Sequence, residues 1–125
     1  EFGWLRSIRL PKDLTFIGNG AFFGCWELRS VSCPAGLAAI GDGAFEECFS
    51  LGKVKLNKGL KAIGAGAFLA CGSLEEIVLP AGLEFIGDDA FYGASLKKIF
   101  VPKSARSHLT ELLPENLHRK IRDIR

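Results

Sequence analysis

The sequence predicts a repeat solenoid, a parallel strand ladder joined by short helical turns and closed by a C-terminal helical cap. Three observations carry this. The phrase "IGNGAFFGC" at 17–25 returns as "IGDGAFEEC" at 40–48, as "IGAGAFLAC" at 63–71 and, altered, as "IGDDAFYGA" at 86–94. The leucines that open each unit, Leu5, Leu28, Leu51, Leu74 and Leu96, lie 23, 23, 23 and 22 residues apart. Around them, seven columns of like residues keep register through four copies, which is the signature of stacked repeats.

The elements of one unit follow in order. Ile8 and Leu10 alternate with Ser7 and Arg9, the period of a half-buried strand. Pro11 ends that strand because it has no N–H for a ladder. Leu14 to Ile17 is a second short apolar segment. The glycine column Gly18, Gly41, Gly64 and Gly87 is expected to mark turns that need positive φ. "GAF" then enters a tight turn that sends Phe22, Phe45, Phe68 and Phe91 inward. The Ile8, Val31, Val54, Ile77 and Ile99 column does the same along the main strand. One unit leaves its apolar side bare, so only stacked units bury a continuous core. Strands of adjacent units are expected about 4.8 Å apart. Residues 1–102 form this solenoid of about four and a half repeats, with its N-terminal end uncapped. "EFGWL" resembles the end of a preceding unit, so further N-terminal repeats or a neighbouring subunit are expected to cover Phe2 and Trp4.

Residues 103–125 read as a basic C-terminal helical cap or tail. Ser104 or Ser107 can start a helix, with Leu109, Leu112 and Leu113 on its apolar side. Pro114 suits the first turn of a second segment, in which Leu117, Ile121 and Ile124 recur at helical spacing. The tail holds six Lys/Arg against three Asp/Glu, a net +3, whereas residues 1–102 hold ten against eleven, a net −1. Arg119, Lys120, Arg122 and Arg125 form its basic exterior.

The columns resemble the BspA-like, or treponemal-type, leucine-rich repeat, whose hallmark is L-x-x-I-x-[LI]-P-x-x-[LV]-x-x-I-G-x-x-A-F-x-x-C at 23 residues. The resemblance covers residues 5–102. It implies a short arc with a parallel strand on one face, and surface adhesion or host contact as the role. Cys33 at a strand leucine position, Asn57 in place of proline, and Ala94 in place of cysteine depart from the pattern.

Cys25, Cys48 and Cys71 fall at one point of successive units and are expected to form a buried column, where cysteine acts as a small hydrophobe. Ala94 in the same column keeps the small apolar role and loses the chemical one. A disulfide between neighbours is the alternative, because adjacent turns bring Cα atoms within range. A line of thiols does not converge on zinc and no C-x-x-C pair is present, so no metal site is expected. No catalytic residue and no cofactor are expected either. The only histidines, His108 and His118, lie in the tail without a placed nucleophile. The pairs Glu46-Glu47, Glu75-Glu76 and Asp88-Asp89 read as solvated charge. The repeated "IG-x-G-A-F" lacks the Lys-Ser/Thr ending of a phosphate loop.

Function in a solenoid lives on positions that vary between units. On the strand face these include Arg9, Lys53, Lys55, Glu76, Val78, Lys98 and Phe100, a mildly basic surface with an apolar C-terminal end. It is either a face for an acidic or mixed partner or a solvated face whose Phe100 the tail covers. The turn flank carries Phe23, Leu69 and Tyr92 in one column, and Trp26 and Phe49 in another. Phe16 and Phe85 occupy a third variable column. Several large apolar groups on one side mark contact with protein or lipid, unless they tuck between turns.

With a formal net charge of +2 no nucleic acid is expected. Apolar residues make up 48% of the chain, yet no apolar run reaches the roughly 18 residues that span a bilayer. Direct membrane contact by a surface stays open. The leading functional reading is a non-enzymatic protein–protein interaction module, part of a larger surface or secreted repeat protein. The alternative is a structural subunit docked in a large, membrane-associated or intracellular assembly. Family resemblance favours the cell surface; unpaired-looking cysteines favour the cell interior.

Overall fold

A computed structural model describes residues 6–124. Phe2, Trp4 and Arg125 lie outside the described residues. The strands, in chain order, are β1 (Phe16–Ile17), β2 (Ser30–Ser32), β3 (Ala39–Ile40), β4 (Lys53–Lys55), β5 (Ala62–Ile63), β6 (Glu76–Val78), β7 (Phe85–Ile86) and β8 (Lys98–Val101). Helix α1 (Arg106–Leu112) and β9 (Ile121–Asp123) follow, with 3-10 turns at Lys103–Ala105 and Glu115–Lys120.

Strands β2, β4, β6 and β8 form the main ladder and β1, β3, β5 and β7 the second sheet, so each of these repeats contributes one strand to each. The second sheet runs β1-β3-β5-β7, all parallel, with Ile17, Ile40, Ile63 and Ile86 in register. The main ladder begins with a bridge between Ser7 and Ser30, then pairs β2 with β4, and β6 with β8. No hydrogen-bonded pairing joins β4 to β6 among the described residues.

Between the two sheets lies the core. Leu28, Leu51 and Leu74 are fully buried, as are Leu37, Leu60 and Leu83. The phenylalanine column stacks in single file. Ring centroids are 5.3, 5.4 and 5.6 Å apart from Phe22 to Phe91, with planes within 11° of parallel. Phe45 and Phe68 are wholly buried, whereas Phe22, at the end of the file, is half-buried.

The turns between second-sheet strands and the next main strand form a third ladder. The N–H groups of Gly43, Phe45 and Glu47 donate to the carbonyls of Ala65, Ala67 and Leu69 at 2.9, 2.8 and 2.8 Å. Those of Gly66, Phe68 and Ala70 donate to Asp88, Ala90 and Tyr92 at 2.9, 2.7 and 2.7 Å. Buried backbone therefore finds its partners in the next repeat, as it must.

The glycine column serves another purpose than expected. Positive φ belongs not to Gly18, Gly41, Gly64 and Gly87 but to the position two residues on, Gly20, Gly43, Gly66 and Asp89, and to Gly24, Glu47, Ala70 and Gly93. At Gly41 a Cβ would lie 2.5 Å from Asn19 Oδ1 and 2.7 Å from Asn19 N; at Gly64 it would lie 2.5 Å from Asp42 Oδ1 and 2.6 Å from Asp42 N. The column is glycine because each turn presses on the backbone of the previous one. Conversely, Ala70 holds φ 65° with a side chain. The left-handed region costs a non-glycine residue about 1–2 kcal/mol, against about 0.5–1 kcal/mol of glycine's extra chain entropy. Ala70→Gly is therefore expected to raise the urea midpoint slightly; a lowered midpoint would contradict the account of this turn.

The C-terminal segment differs most from its expectation. Helix α1 forms and buries Leu109, with Leu113 buried just past its end, but its N-cap is Ala105 rather than Ser104 or Ser107. Pro114 does precede a helical segment, Glu115–Lys120. Ile121 and Ile124 are not on a helix. Ile121–Asp123 is a strand that pairs parallel with β8, with Ile99 opposite Ile121. Ile121 is buried and Ile124 exposed. A buried hydrophobe was better placed by extending a waiting strand edge than by prolonging a short helix. The tail thus supplies a sixth rung to the ladder, with α1 and the 3-10 turns in place of a second-sheet strand and turn.

Candidate interaction surfaces

Three surfaces carry the variable positions. The first is the outer face of the main ladder. Strand alternation points Ile8, Val31, Val54 and Ile77 towards the core and their neighbours outward. Arg9, Lys53, Lys55, Glu76, Val78 and Lys98 are exposed and Phe100 is half-buried. Register places Ser30 beside Lys53, Ser32 beside Lys55, Glu76 beside Lys98, and Val78 beside Phe100, which in turn neighbours Arg122. Five cations, Arg9, Lys53, Lys55, Lys98 and Arg122, thus share the face with one carboxylate, Glu76. An open depression of about 450 Å³ lies here, straddling the unpaired β4–β6 boundary, with Lys53, Lys55, Val78 and Phe100 on its rim.

The second surface is the turn flank. Phe23, Trp26, Phe49 and Tyr92 are all exposed, from 47% for Phe23 to 71% for Tyr92, while Leu69 is half-buried. Phe23 and Tyr92 share a column interrupted by Glu46 and Leu69, and Trp26 and Phe49 are neighbours in the next. Phe16 and Phe85 stand exposed on the second sheet, either side of Ala39 and Ala62.

The third surface is the C-terminal end, where basic side chains are partly spent on the chain itself. Lys120 Nζ donates to the Leu96 carbonyl at 2.7 Å, Arg122 to Arg119 O at 2.9 Å, and Arg106 pairs with Asp123 at 2.6 Å. His108 Nε2 lies 2.7 Å from Leu83 O and His118 Nε2 2.9 Å from Leu113 O. A carbonyl only accepts, so in each ring this nitrogen carries the proton. Both histidines act as clasps for the cap.

The cysteines are interior groups. Cys25, Cys33, Cys48 and Cys71 are buried, and none forms a disulfide. Cys48 Sγ donates to Phe22 O at 3.2 Å and Cys71 Sγ to Phe45 O at 3.1 Å. Each of those carbonyls also accepts the N–H of the cysteine three residues on, Cys25 or Cys48, at 3.2 Å. The thiol is thus a cross-repeat donor, which the small-hydrophobe reading of the sequence missed. Burial raises Cys48 and Cys71 to about 12 and Cys33 to about 11. Such thiols are protonated near neutrality and poor nucleophiles. Among the described residues, no group of three or more His, Cys, Asp or Glu is placed to hold a metal, and no helix is long and apolar enough to cross a membrane.

Asn57 shows what a departure from the pattern costs. Its Nδ2 donates to Leu37 O at 2.7 Å and Ala35 O at 3.1 Å, while its buried Oδ1 has no partner. The amide ties two repeats together where other units use proline.

A family model for the BspA type leucine-rich repeat region matches residues 3–112 in six copies. The chain belongs to the BspA-type leucine-rich repeat family. Solved structures agree. A leucine-rich repeat protein from Bacteroides ovatus is 31% identical, with a TM-score of 0.74 over 80% of this chain and 28% of that one. A leucine rich cell surface protein from Faecalibacterium prausnitzii is 28% identical, with a TM-score of 0.77 over 94% of this chain and 31% of that one. The pneumococcal vaccine antigen PcpA is 26% identical, with a TM-score of 0.73 over 77% of this chain and 24% of that one. The BspA-type chain therefore spans less than a third of each of these relatives. No curated protein matches it in sequence. Membership makes it a leucine-rich repeat solenoid, an architecture whose repeats serve protein–protein interaction.

Proposed function

We propose that this BspA-type chain is a non-enzymatic docking module that offers its strand face to an acidic protein segment, within a larger surface repeat protein. The observation that carries the reading is the depression over β4 and β6. It combines Lys53 and Lys55 with Val78 and Phe100 across the β4–β6 boundary. Cations there attract carboxylates and speed encounter, while the apolar end supplies contact area that exposed ion pairs alone do not. Similarity to a cell surface protein and to a vaccine antigen supports placement at the cell surface. Buried, protonated thiols support a structural rather than catalytic role for the cysteines.

The test is charge reversal. With an acidic, aromatic-bearing peptide library as bait, Lys53→Glu/Lys55→Glu is expected to lower affinity at least about tenfold at 0.15 M salt, where exposed charges still act over roughly 8 Å. Melting should be unchanged. Equal binding by the parent and the double variant would remove the strand face from the account. A second reading, a structural subunit docked in a large assembly, is favoured by one observation, the exposure of Trp26 and Phe49 side by side. Trp26→Ser/Phe49→Ser abolishing recovery of native partners, with Lys53→Glu/Lys55→Glu having no effect, would select it.

A further inference from the structure

The turn ladder has a direction, and its last rung is left open. In each repeat, three alternate N–H groups donate to carbonyls of the following repeat: Gly20, Phe22 and Gly24 to Asp42, Ala44 and Glu46, and so on through Gly66, Phe68 and Ala70. The equivalent groups of the last turn are the N–H groups of Asp89, Phe91 and Gly93. None of them has an acceptor among the described residues. The cap does not supply one, because α1 and the following 3-10 turn replace the turn of a sixth repeat and bond within themselves. They leave a cleft of about 790 Å³ between the open rung and Leu112, Pro114 and Leu117.

The rung offers an acceptor as well. Asn19 Oδ1 accepts the N–H of Asp42, and Asp42 Oδ1 accepts the N–H of Ala65, both at 2.8 Å. Where this position holds Asn or Asp the side chain thus receives a backbone N–H of the next repeat; Ala65, in the third repeat, has no such acceptor. Asp88 is the last member of that series, and its carboxylate is exposed with no hydrogen bond among the described residues. Beyond Phe91 the file of rings ends; that ring is itself buried, at 5% exposure, and only its backbone edge borders the cleft.

We infer that this cleft is a second docking site, distinct from the strand face, for a turn-forming segment of a partner polypeptide that adds as one more rung. Three alternate carbonyls of the segment accept from Asp89, Phe91 and Gly93, and one N–H donates to Asp88. The specification is that of main-chain addition to an open edge, with the apolar walls at Leu112, Pro114 and Leu117 adding contact area. It commits to a partner with free backbone, rather than to an anion. Asp88 and Asp89 beside Arg119 and Lys120 leave the cleft without net charge, which argues against an ionic ligand.

A suitable probe is the peptide IGAGAFLA, the sequence of residues 63–70, titrated into the full chain while backbone amide signals are followed by NMR. Saturable shifts at the amides of Asp89, Phe91 and Gly93, with slowed hydrogen exchange there, are expected. Asp88→Ala, an exposed change that leaves the core untouched, is expected to weaken binding several-fold, and Leu117→Asp to abolish it. Lys53→Glu/Lys55→Glu should bind the peptide as the parent does, so failure here and failure of the strand-face reading are separable. Three results would overturn the inference: no response of those amides at millimolar peptide, equal response to a scrambled peptide, or amides already protected before any peptide is added. Concentration-dependent dimerisation that shifts the same amides would overturn the choice of occupant in favour of a second copy.

Discussion

Gly64→Ala is expected to cost at least about 3 kcal/mol of stability, at the upper end of what overpacking does to a rigid interior. The new Cβ would meet Asp42 Oδ1 at 2.5 Å, Asp42 N at 2.6 Å and the Gly41 carbonyl carbon at 2.7 Å. Two of those three are backbone atoms, held by the second sheet on one side and the turn ladder on the other. No rotamer change relieves the contact. The repeats must separate locally, and the 2.8 Å bond from Ala65 N to Asp42 Oδ1 goes with them. Gly41→Ala should behave alike, against Asn19. Gly18→Ala is the internal control, since a Cβ there meets nothing within 4 Å, and φ is not positive. It should stay within about 1 kcal/mol of the parent, on either side, as glycine substitutions at unstrained sites do. Urea unfolding of the three variants decides it: similar midpoints for Gly18→Ala and Gly64→Ala would mean that close approach is not why glycine stands in this column.

Stability should also fall steeply above pH 9. Cys48 and Cys71 lie at about 12 and Cys33 at about 11 in the folded chain, against an ordinary value of 9.0, because burial penalises the thiolate. Below pH 9 both folded and unfolded chains keep these protons, so the thiols add no pH dependence. Above it the unfolded chain releases protons that the folded chain retains. Each thiol then removes about 1.4 kcal/mol per pH unit, until the pH reaches its folded value. Between pH 9 and 11 three thiols act together, which is enough to unfold a domain of ordinary stability. Cys48→Ala/Cys71→Ala should lie below the parent at pH 7, having lost two cross-repeat donors, and should lose stability more slowly than the parent as pH rises past 9. Parallel curves for the two proteins would show that the thiols titrate freely. Thiol reagents at pH 7 give an independent reading: labelling should require unfolding and accelerate with urea.

The repeat, its two strands per unit and its phenylalanine file were legible because each rests on side chains that recur at a fixed spacing. Phe45 and Phe68 had to be inside, since nothing else in the unit could cover so much apolar surface. The exposure of Trp26, Phe49 and Tyr92 was legible for the converse reason, as their columns also hold Glu46 and Gly72. The glycine column was legible as a constraint but not as to its kind. A sequence marks where a Cβ is forbidden and does not say whether φ or a neighbouring backbone forbids it. The thiol hydrogen bonds were hidden likewise, because their acceptors are carbonyls that every residue carries. Ile121 and Ile124 misled because three-residue spacing fits a helix as well as a short strand with one residue turned outward.

The amino-acid sequence by itself determined that this chain is a stack of BspA-type leucine-rich repeats with a shared apolar core, because periodic side chains leave no other way to bury one unit against the next. Only the tertiary structure decided how the stack ends and which surfaces remain. β8 offered an unpaired edge, Ile121–Asp123 satisfied it, and α1 could not do the same for the turn of Asp89, Phe91 and Gly93. Backbone donors and acceptors are identical in every residue, so where they go unpaired depends on neighbours in space and is written in no single stretch of the chain.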